Sequence, residues 1–321
     1  MGGLKMVKLK KILAVVTASI LMISLSACSA KKQDAAKSEQ TLSIGAIGSI
    51  DVVPIVIANE KGFFKKQGVD VNFQPFKSSK DRDAAFQGGN LDGIIFDEVA
   101  ACLYQNGGFN VKITGVTDGD FMLIANSKSG IKSIGDIKGK SIAISEKTAI
   151  EYTLDQILEK NSLDPKDIKK SMVPAVPTRL EMLRNNKVDA ALLPEPFATI
   201  AIKDGGVLLG SASKLASYPS VTGFTQKSID GKGNEIRAFY KAYNEAVDYI
   251  NSTPISEYED IVMKTVGYPD DMKGRITLPK FRKNILPSEV EIKTAIDWTS
   301  RNGLIKESLS SKDLVNDIGI K

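Results

Sequence analysis

Ser49 with Asp51, Ser78 with Ser79, Asp97 with Glu98, then Ser145, Lys147 and Thr148, Arg179, and Glu195 stand in six short polar stretches, each closely following an apolar run. Hydroxyls, carboxylates and a few cations gathered in this way can hold a small polar molecule by hydrogen bonds and charge. They are poorly equipped to transform one. The 321 residues contain no histidine, which removes Ser-His-Asp triads, Cys-His pairs and histidine-bearing zinc sites. No nucleophile stands at a recognisable spacing from a carboxylate or lysine base, so the chain reads as a binder rather than an enzyme, with no cofactor and no metal. Cys102 lies among Ala100, Ala101 and Leu103 and reads as core, where a free cysteine behaves as a small hydrophobe.

The elements that must position these residues alternate between strand and helix. Leu42 to Ile47, Val69 to Phe73 and Gly93 to Phe96 read as strands; Pro54 to Lys61, Asp81 to Gln87 and Glu98 to Asn106 read as helices. Such alternation implies sheets that are parallel, or largely so, with helices on both faces. The pattern then recurs. A shift of 97 residues lays Leu91–Phe96 on Val188–Leu193, Arg82 on Arg179 and Glu98 on Glu195, and a shift of 98 lays Ser43–Ala46 on Ser141–Ile144. Two lobes of similar βαβα design follow, one over 41–123 plus 223–321 and one over 126–220, with a hinge where the chain crosses between them. Phe121 to Ala125 leads out and Val221 to Thr225 leads back. Ile236, Phe239, Tyr243, Val247 and Ile250 mark one face of an amphipathic helix, and Ser288 with Glu291 makes a capping box for a last helix through Trp298.

Ligands of open parallel sheets bind outside the carboxyl ends of strands, and the six polar stretches fall there. Each also has a plainer use. Thr148 with Glu151 and Thr178 with Glu181 are capping boxes; Asp51 suits an N-cap, and Asp97 and Glu98 suit a helix N-terminus. Asp92 and Asp189 read as caps on the turn before a strand. Arg82, Arg179 and Lys147 can supply charge for an anion, yet Asp97, Glu98, Glu146, Glu151 and Glu195 crowd the same rim. Either these carboxylates pair with the arginines, or the ligand brings donors to them. The 97-residue shift places Glu98 opposite Glu195 across the cleft, where they either touch a ligand bearing N–H or O–H donors or, if they only orient arginines, pair with Arg82 and Arg179.

The N-terminus has a different chemistry. Lys5, Lys8, Lys10 and Lys11 precede an apolar stretch from Ile12 to Leu25, which has the length and flanks of a signal-peptide core and falls short of the roughly 20 residues of a membrane span. Leu25-Ser26-Ala27-Cys28 resembles the bacterial lipobox, so residues 1–27 read as a signal peptide and Cys28 as the lipidated residue. Residues 28–40 read as a flexible tether. Removing those four lysines takes the net charge from +5 to about +1, and no basic stripe with interleaved aromatics suggests nucleic acid.

NEKGFFKKQGVDV (59–71), SGIKSIGDIKGKSIAIS (129–145) and KVDAALLPEPFA (187–198) resemble blocks of the substrate-binding lipoproteins of ABC importers. The resemblance is to the group that binds nitrate, taurine, aliphatic sulfonates or the thiamine-precursor pyrimidine. It runs from about Leu42 to Gly210; residues 226–321 share only helical character. It implies an α/β, two-lobed periplasmic-binding-protein fold (type II-like), closing on a small-molecule ligand and delivering it to a membrane permease. It further implies a monomer, held by lipid on the extracytoplasmic face. The ligand class it favours is a small anion of the sulfonate, taurine or nitrate kind, with a nitrogen heterocycle as the alternative. A lipoprotein enzyme on the same scaffold and a structural lipoprotein with an empty cleft are the competing classes. Leu193-Pro194 precedes Glu195 where the group carries a tryptophan, so an aromatic platform is not expected there.

Because Cys28 is the only acylation site in this reading, Cys28→Ala should abolish incorporation of radioactive fatty acid in growing cells. Equal labelling of the variant and the parent would remove the lipobox assignment.

Overall fold

The computed structural model describes residues 41–215, 218–306 and 308–321; the segments read as signal peptide and tether, with Cys28, lie outside them. The chain first lays down β1 (Thr41–Ile47), α1 (Val53–Glu60), β2 (Asp70–Phe76), α2 (Ser79–Gln87), β3 (Gly93–Asp97), α3 (Glu98–Asn106) and β4 (Val111–Val116). It then builds β5 (Phe121–Ala125), β6 (Ser141–Ile144), α4 (Ala149–Lys160), β7 (Lys169–Met172), α5 (Val176–Arg184), β8 (Ala190–Pro194), α6 (Phe197–Lys203) and β9 (Val207–Ser211). It returns through β10 (Ser220–Thr225) to α7 (Gly233–Ser252) and α8 (Glu289–Arg301). Strand order is β2-β1-β3-β10-β4 in one sheet and β7-β6-β8-β5-β9 in the other. In each, three parallel strands meet one antiparallel strand, β10 or β5, which pairs on its far side with an outer strand. The sheets are mixed, and each is covered by helices.

The internal repeat extends to single hydrogen bonds. Asp92 accepts from the Ser43 amide at 2.9 Å and Asp189 from the Ser141 amide at 2.8 Å, each tying the turn before the third strand to the first. Both aspartates thus act where the sequence places turn caps.

The crossings fall elsewhere than expected. β5 lies between β8 and β9, so all of Phe121–Ala125 belongs to the second lobe. β10 lies between β3 and β4, so it belongs to the first from Ser220 onward. Among the described residues the crossings are therefore 117–120 and 218–219, not the 123–126 and 221–225 expected. An apolar run announces a strand, but which sheet it joins depends on partners distant in sequence.

Each core follows from the pattern of its elements. The face of α7 bearing Ile236, Phe239, Tyr243, Val247 and Ile250 packs with Leu42, Ile44 and α1 on one side of the first sheet. Phe86, Ile94, Phe96, Ala101, Cys102 and Ile292 fill the other side, and Cys102 is core as read, its thiol pushed up to about 12 by burial. In the second lobe Leu154, Ile157 and Leu158 of α4 cover one side and Leu180, Leu183 and Ala198 the other. Ser288 and Glu291 form the reciprocal capping box at 3.2 and 2.7 Å. Thr178 forms none: Pro177 suits the first turn of a helix, so α5 starts at Val176 and Thr178 is an exposed residue within it.

Phe239 is fully buried, stacked on Phe64 at 5.4 Å and edge-on to Phe224 at 5.9 Å. Phe239→Ala should lower the unfolding free energy by about 3–5 kcal/mol, measured by denaturant titration. A loss below about 1 kcal/mol would mean that α7 is not the lid of this core.

Candidate ligand-binding site

Parallel strands buried on both faces leave their polar residues at the ends, and here the ends of the two sheets meet. Ser49, Asp51, Ser79 and Asp97 of the first lobe and Ser145, Thr148 and Arg179 of the second line a cavity of about 60 Å³, large enough for several waters or one small ligand. Across it Ser79 Oγ lies 3.4 Å from Ser145 Oγ, and the Val176 amide donates to the Lys77 carbonyl at 3.3 Å. Arg82, Phe96, Phe121 and Ser220 also line it. Arg82 was foreseen as a source of charge; the other three were not. Phe121 and Ser220 begin β5 and β10, and an antiparallel strand starts where its parallel neighbours end, which the sequence could not show without the pairing.

The two arginines repeat each other and then diverge. Arg82 Nη1 donates to the Ile95 carbonyl at 2.8 Å, and Arg179 Nη1 to the Leu192 carbonyl at 2.6 Å, both pairs related by the 97-residue shift. Arg82 is neutralised by Asp83, whose Oδ1 lies 2.8 Å from its Nε and 2.7 Å from its Nη2. The same shift puts Leu180 where Asp83 stands. Arg179 consequently has no acidic partner among the described residues; it is 1% exposed, and its Nε makes no hydrogen bond. Burial alone pulls its pKa down to about 9, so it stays charged at neutral pH. A buried cation without a counter-charge is costly, and an anion in the cavity would relieve that cost.

The cavity carboxylates, by contrast, already have donors. Asp51 accepts from Ser49 Oγ at 3.1 Å, Thr117 Oγ1 at 3.2 Å, the Tyr218 hydroxyl at 3.0 Å and Ser220 Oγ at 2.7 Å. Its pKa is raised by burial, opposed by the hydroxyls of Ser220, Tyr218 and Ser49. Asp97 caps α3 through the Ala100 amide at 2.8 Å; burial raises it to about 6, opposed chiefly by the charge of Arg82. Thr148 likewise caps α4 through the Ile150 amide at 3.2 Å while lining the cavity.

Four expected residues lie apart from the cavity. Ser78 is the N-cap of α2, accepting from the Asp81 amide at 3.2 Å. Lys147 is exposed, in a left-handed turn with φ 55°. Glu195 turns back on its own helix, accepting from Thr199 Oγ1 at 2.7 Å and the Thr199 amide at 3.1 Å. Glu98 is 1% exposed, in a seam where α3 and α8 meet α4 of the other lobe. The expectation that Glu98 and Glu195 face each other and pair with the arginines is therefore overturned. The strand carbonyls Ile95 and Leu192 hold the guanidiniums instead, and Asp83 neutralises only one of them.

That seam is the second contact between the lobes. The Trp298 and Tyr152 rings meet edge-on at 5.6 Å, and Trp298 Nε1 donates to Asp155 Oδ2 at 3.1 Å. Glu98 Oε2 has no hydrogen-bond partner there. Burial first, then Glu291 and Asp97, push its pKa up to about 8. A carboxyl raised in the native state binds more protons than the unfolded chain, so stability falls as pH rises from the unfolded value through about 8. Between pH 7 and 9 this group should remove roughly 1 kcal/mol, and Glu98→Gln should abolish that portion of the loss. Denaturant titrations of both proteins at the two pH values will read it; parallel pH dependences would show that Glu98 is already ionised at pH 7.

Residues 35–264 match the NMT1-like family. A putative aliphatic sulfonates-binding protein of Bacillus subtilis is 26% identical over 98% of this chain and 96% of its own length. A putative ABC transporter periplasmic binding protein of Brachyspira hyodysenteriae is 22% identical over 77% and 76%. Among solved structures, the alkanesulfonate-binding protein SsuA of Xanthomonas axonopodis pv. citri, bound to MOPS, superposes with a TM-score of 0.74 at 18% identity. That match covers 85% of this chain and 97% of SsuA. The fold is thus the two-lobed α/β fold of periplasmic binding proteins, as the sequence blocks implied.

Proposed function

The chain belongs to the NMT1-like family, and on that footing we propose that it is the extracytoplasmic substrate-binding component of an ABC importer. In this reading it captures a small anion of the sulfonate, taurine or nitrate class between its lobes and delivers it to a membrane permease, as a monomer held to the membrane by lipid on Cys28. The observation that carries the anionic reading is Arg179, a buried guanidinium aimed at the cavity with no carboxylate beside it. A sulfonate offers only acceptors, and the site offers donors: Arg179, the Ser79 and Ser145 hydroxyls, and the starts of α2 and α4, whose dipoles favour negative charge. Of the two carboxylates on the cavity, Asp51 already accepts from four hydroxyls while Asp97 accepts from the Ala100 amide through one oxygen, so a neutral aminopyrimidine would find at most one carboxylate to receive its donors. The relatives that bind sulfonates by name support the same class. The lipid anchor rests on the sequence around Cys28; among the described residues no helix is long and apolar enough to cross a membrane.

Calorimetric titration with ethanesulfonate, taurine, nitrate and an aminopyrimidine tests the assignment. One of the anions should bind, be recovered chemically unchanged, and lose affinity ~100-fold in Arg179→Met, a charged hydrogen bond or two at 1.5–3 kcal/mol each. The ligand-free melting temperature of that variant should hold or rise, because an unpaired buried charge has been replaced by an apolar chain. Binding of the pyrimidine alone, undiminished in Arg179→Met, would overturn the anionic reading.

A further inference from the structure

The two chain crossings are fastened to one side chain. Asp51 belongs to the first lobe, just past β1, and is 4% exposed. It accepts from Thr117, where the first crossing leaves β4, and from Ser220, where the second crossing enters β10. Tyr218, in the second crossing, reaches further. Its ring packs at 4.8 Å on Phe121 and against the core of the second lobe, while its hydroxyl lies 3.0 Å from both oxygens of Asp51. One residue thus has its apolar body in one lobe and its polar tip on the other. The first crossing closes over this pair at Gly119, where a Cβ would fall 2.6 Å from Asp51 Oδ1 and 2.6 Å from the Tyr218 hydroxyl. Any side chain there must push the two apart.

We propose that Asp51, Tyr218 and Gly119 form a hinge clamp, in which Asp51 is a positioning residue that sets the angle between the lobes and not an acceptor for ligand. Its lone pairs are occupied by hydroxyls from both crossings, so closing or opening must bend the chain around it. Because Asp51 also borders the cavity, a ligand packed beside it bears directly on the pivot. The proposal depends on the two-lobed fold and not on the identity of the ligand, so it stands or falls separately from the anionic assignment.

The test is run on the full-length protein without ligand, using Trp298, the single tryptophan of the sequence, which touches the second lobe through Tyr152 and Asp155. Loosening the clamp should part the seam, so Tyr218→Phe and Gly119→Ala should shift Trp298 emission to the red and steepen its quenching by acrylamide, with far-ultraviolet circular dichroism unchanged. Tyr218→Phe keeps the ring on Phe121 and removes only the hydroxyl, so it remains informative if Gly119→Ala folds poorly. Thr114→Val is the control: it breaks a buried hydroxyl contact to Tyr240 at 2.6 Å inside the first lobe, and should lower the melting temperature while leaving Trp298 as in the parent. Parent-like quenching in both clamp variants would overturn the proposal. So would an equal rise in Thr114→Val, which would mean that Trp298 reports general loosening rather than the hinge.

Discussion

A strand buried on both faces has no place for a polar side chain along its length. β3 and β8 are buried at every position, and the chain must put its polar groups where those strands stop. There the helices begin, with unpaired amides that want acceptors. Both needs meet at the same edge of each sheet. Asp97 and Thr148 satisfy helix ends, while the arginines reach back to strand carbonyls. The cavity between the lobes is what remains once these demands have been met.

Within that frame the two lobes are variants of one design, and their difference is the informative part. The same arginine, bonded to the equivalent carbonyl, has a carboxylate neighbour in one copy and a leucine in the other. Replacing Asp83 by its counterpart Leu180 turns a neutral structural pair into a buried positive charge beside the cavity. The remaining charges are disposed around this: Asp51 is held by hydroxyls, Glu195 by its own helix, and Glu98 is driven toward neutrality by burial. Among the described residues Arg179 is the buried cation left without a carboxylate beside it, and it lines the ligand space.

Besides an ion pair of Lys203 with Asp271 at the surface, the described residues of the two lobes touch at places of different character. Near the cavity the contacts are sparse and polar, typified by Ser79 with Ser145. At the seam they are aromatic, with Trp298 on Tyr152. At the crossings they are a dense set of hydroxyls on one carboxylate. Sparse contacts between sheets and dense ones at the crossings suit a pair of rigid bodies that turn about a fixed pivot.

The sequence by itself determined the elements and their repetition, because periodicity, caps and apolar runs are local properties. Asp92 and Asp189, the face of α7, the Ser288–Glu291 box and the strand-end location of Ser49, Ser79, Ser145 and Arg179 were all legible. The solitary charge on Arg179 was not read there, where Glu195 stood as a candidate partner; the alignment of Asp83 with Leu180 explains it once the side-chain contacts are known. Only the tertiary structure decided which sheet β5 and β10 would join, and hence where the hinge lies and that Phe121, Tyr218 and Ser220 meet near the cavity. It alone turned Glu195 toward Thr199 and Glu98 into the seam. Those outcomes depend on pairing across about a hundred residues and on the direction a side chain takes from its helix. The spacing of residue types fixes the end of a strand, but not what that end will face.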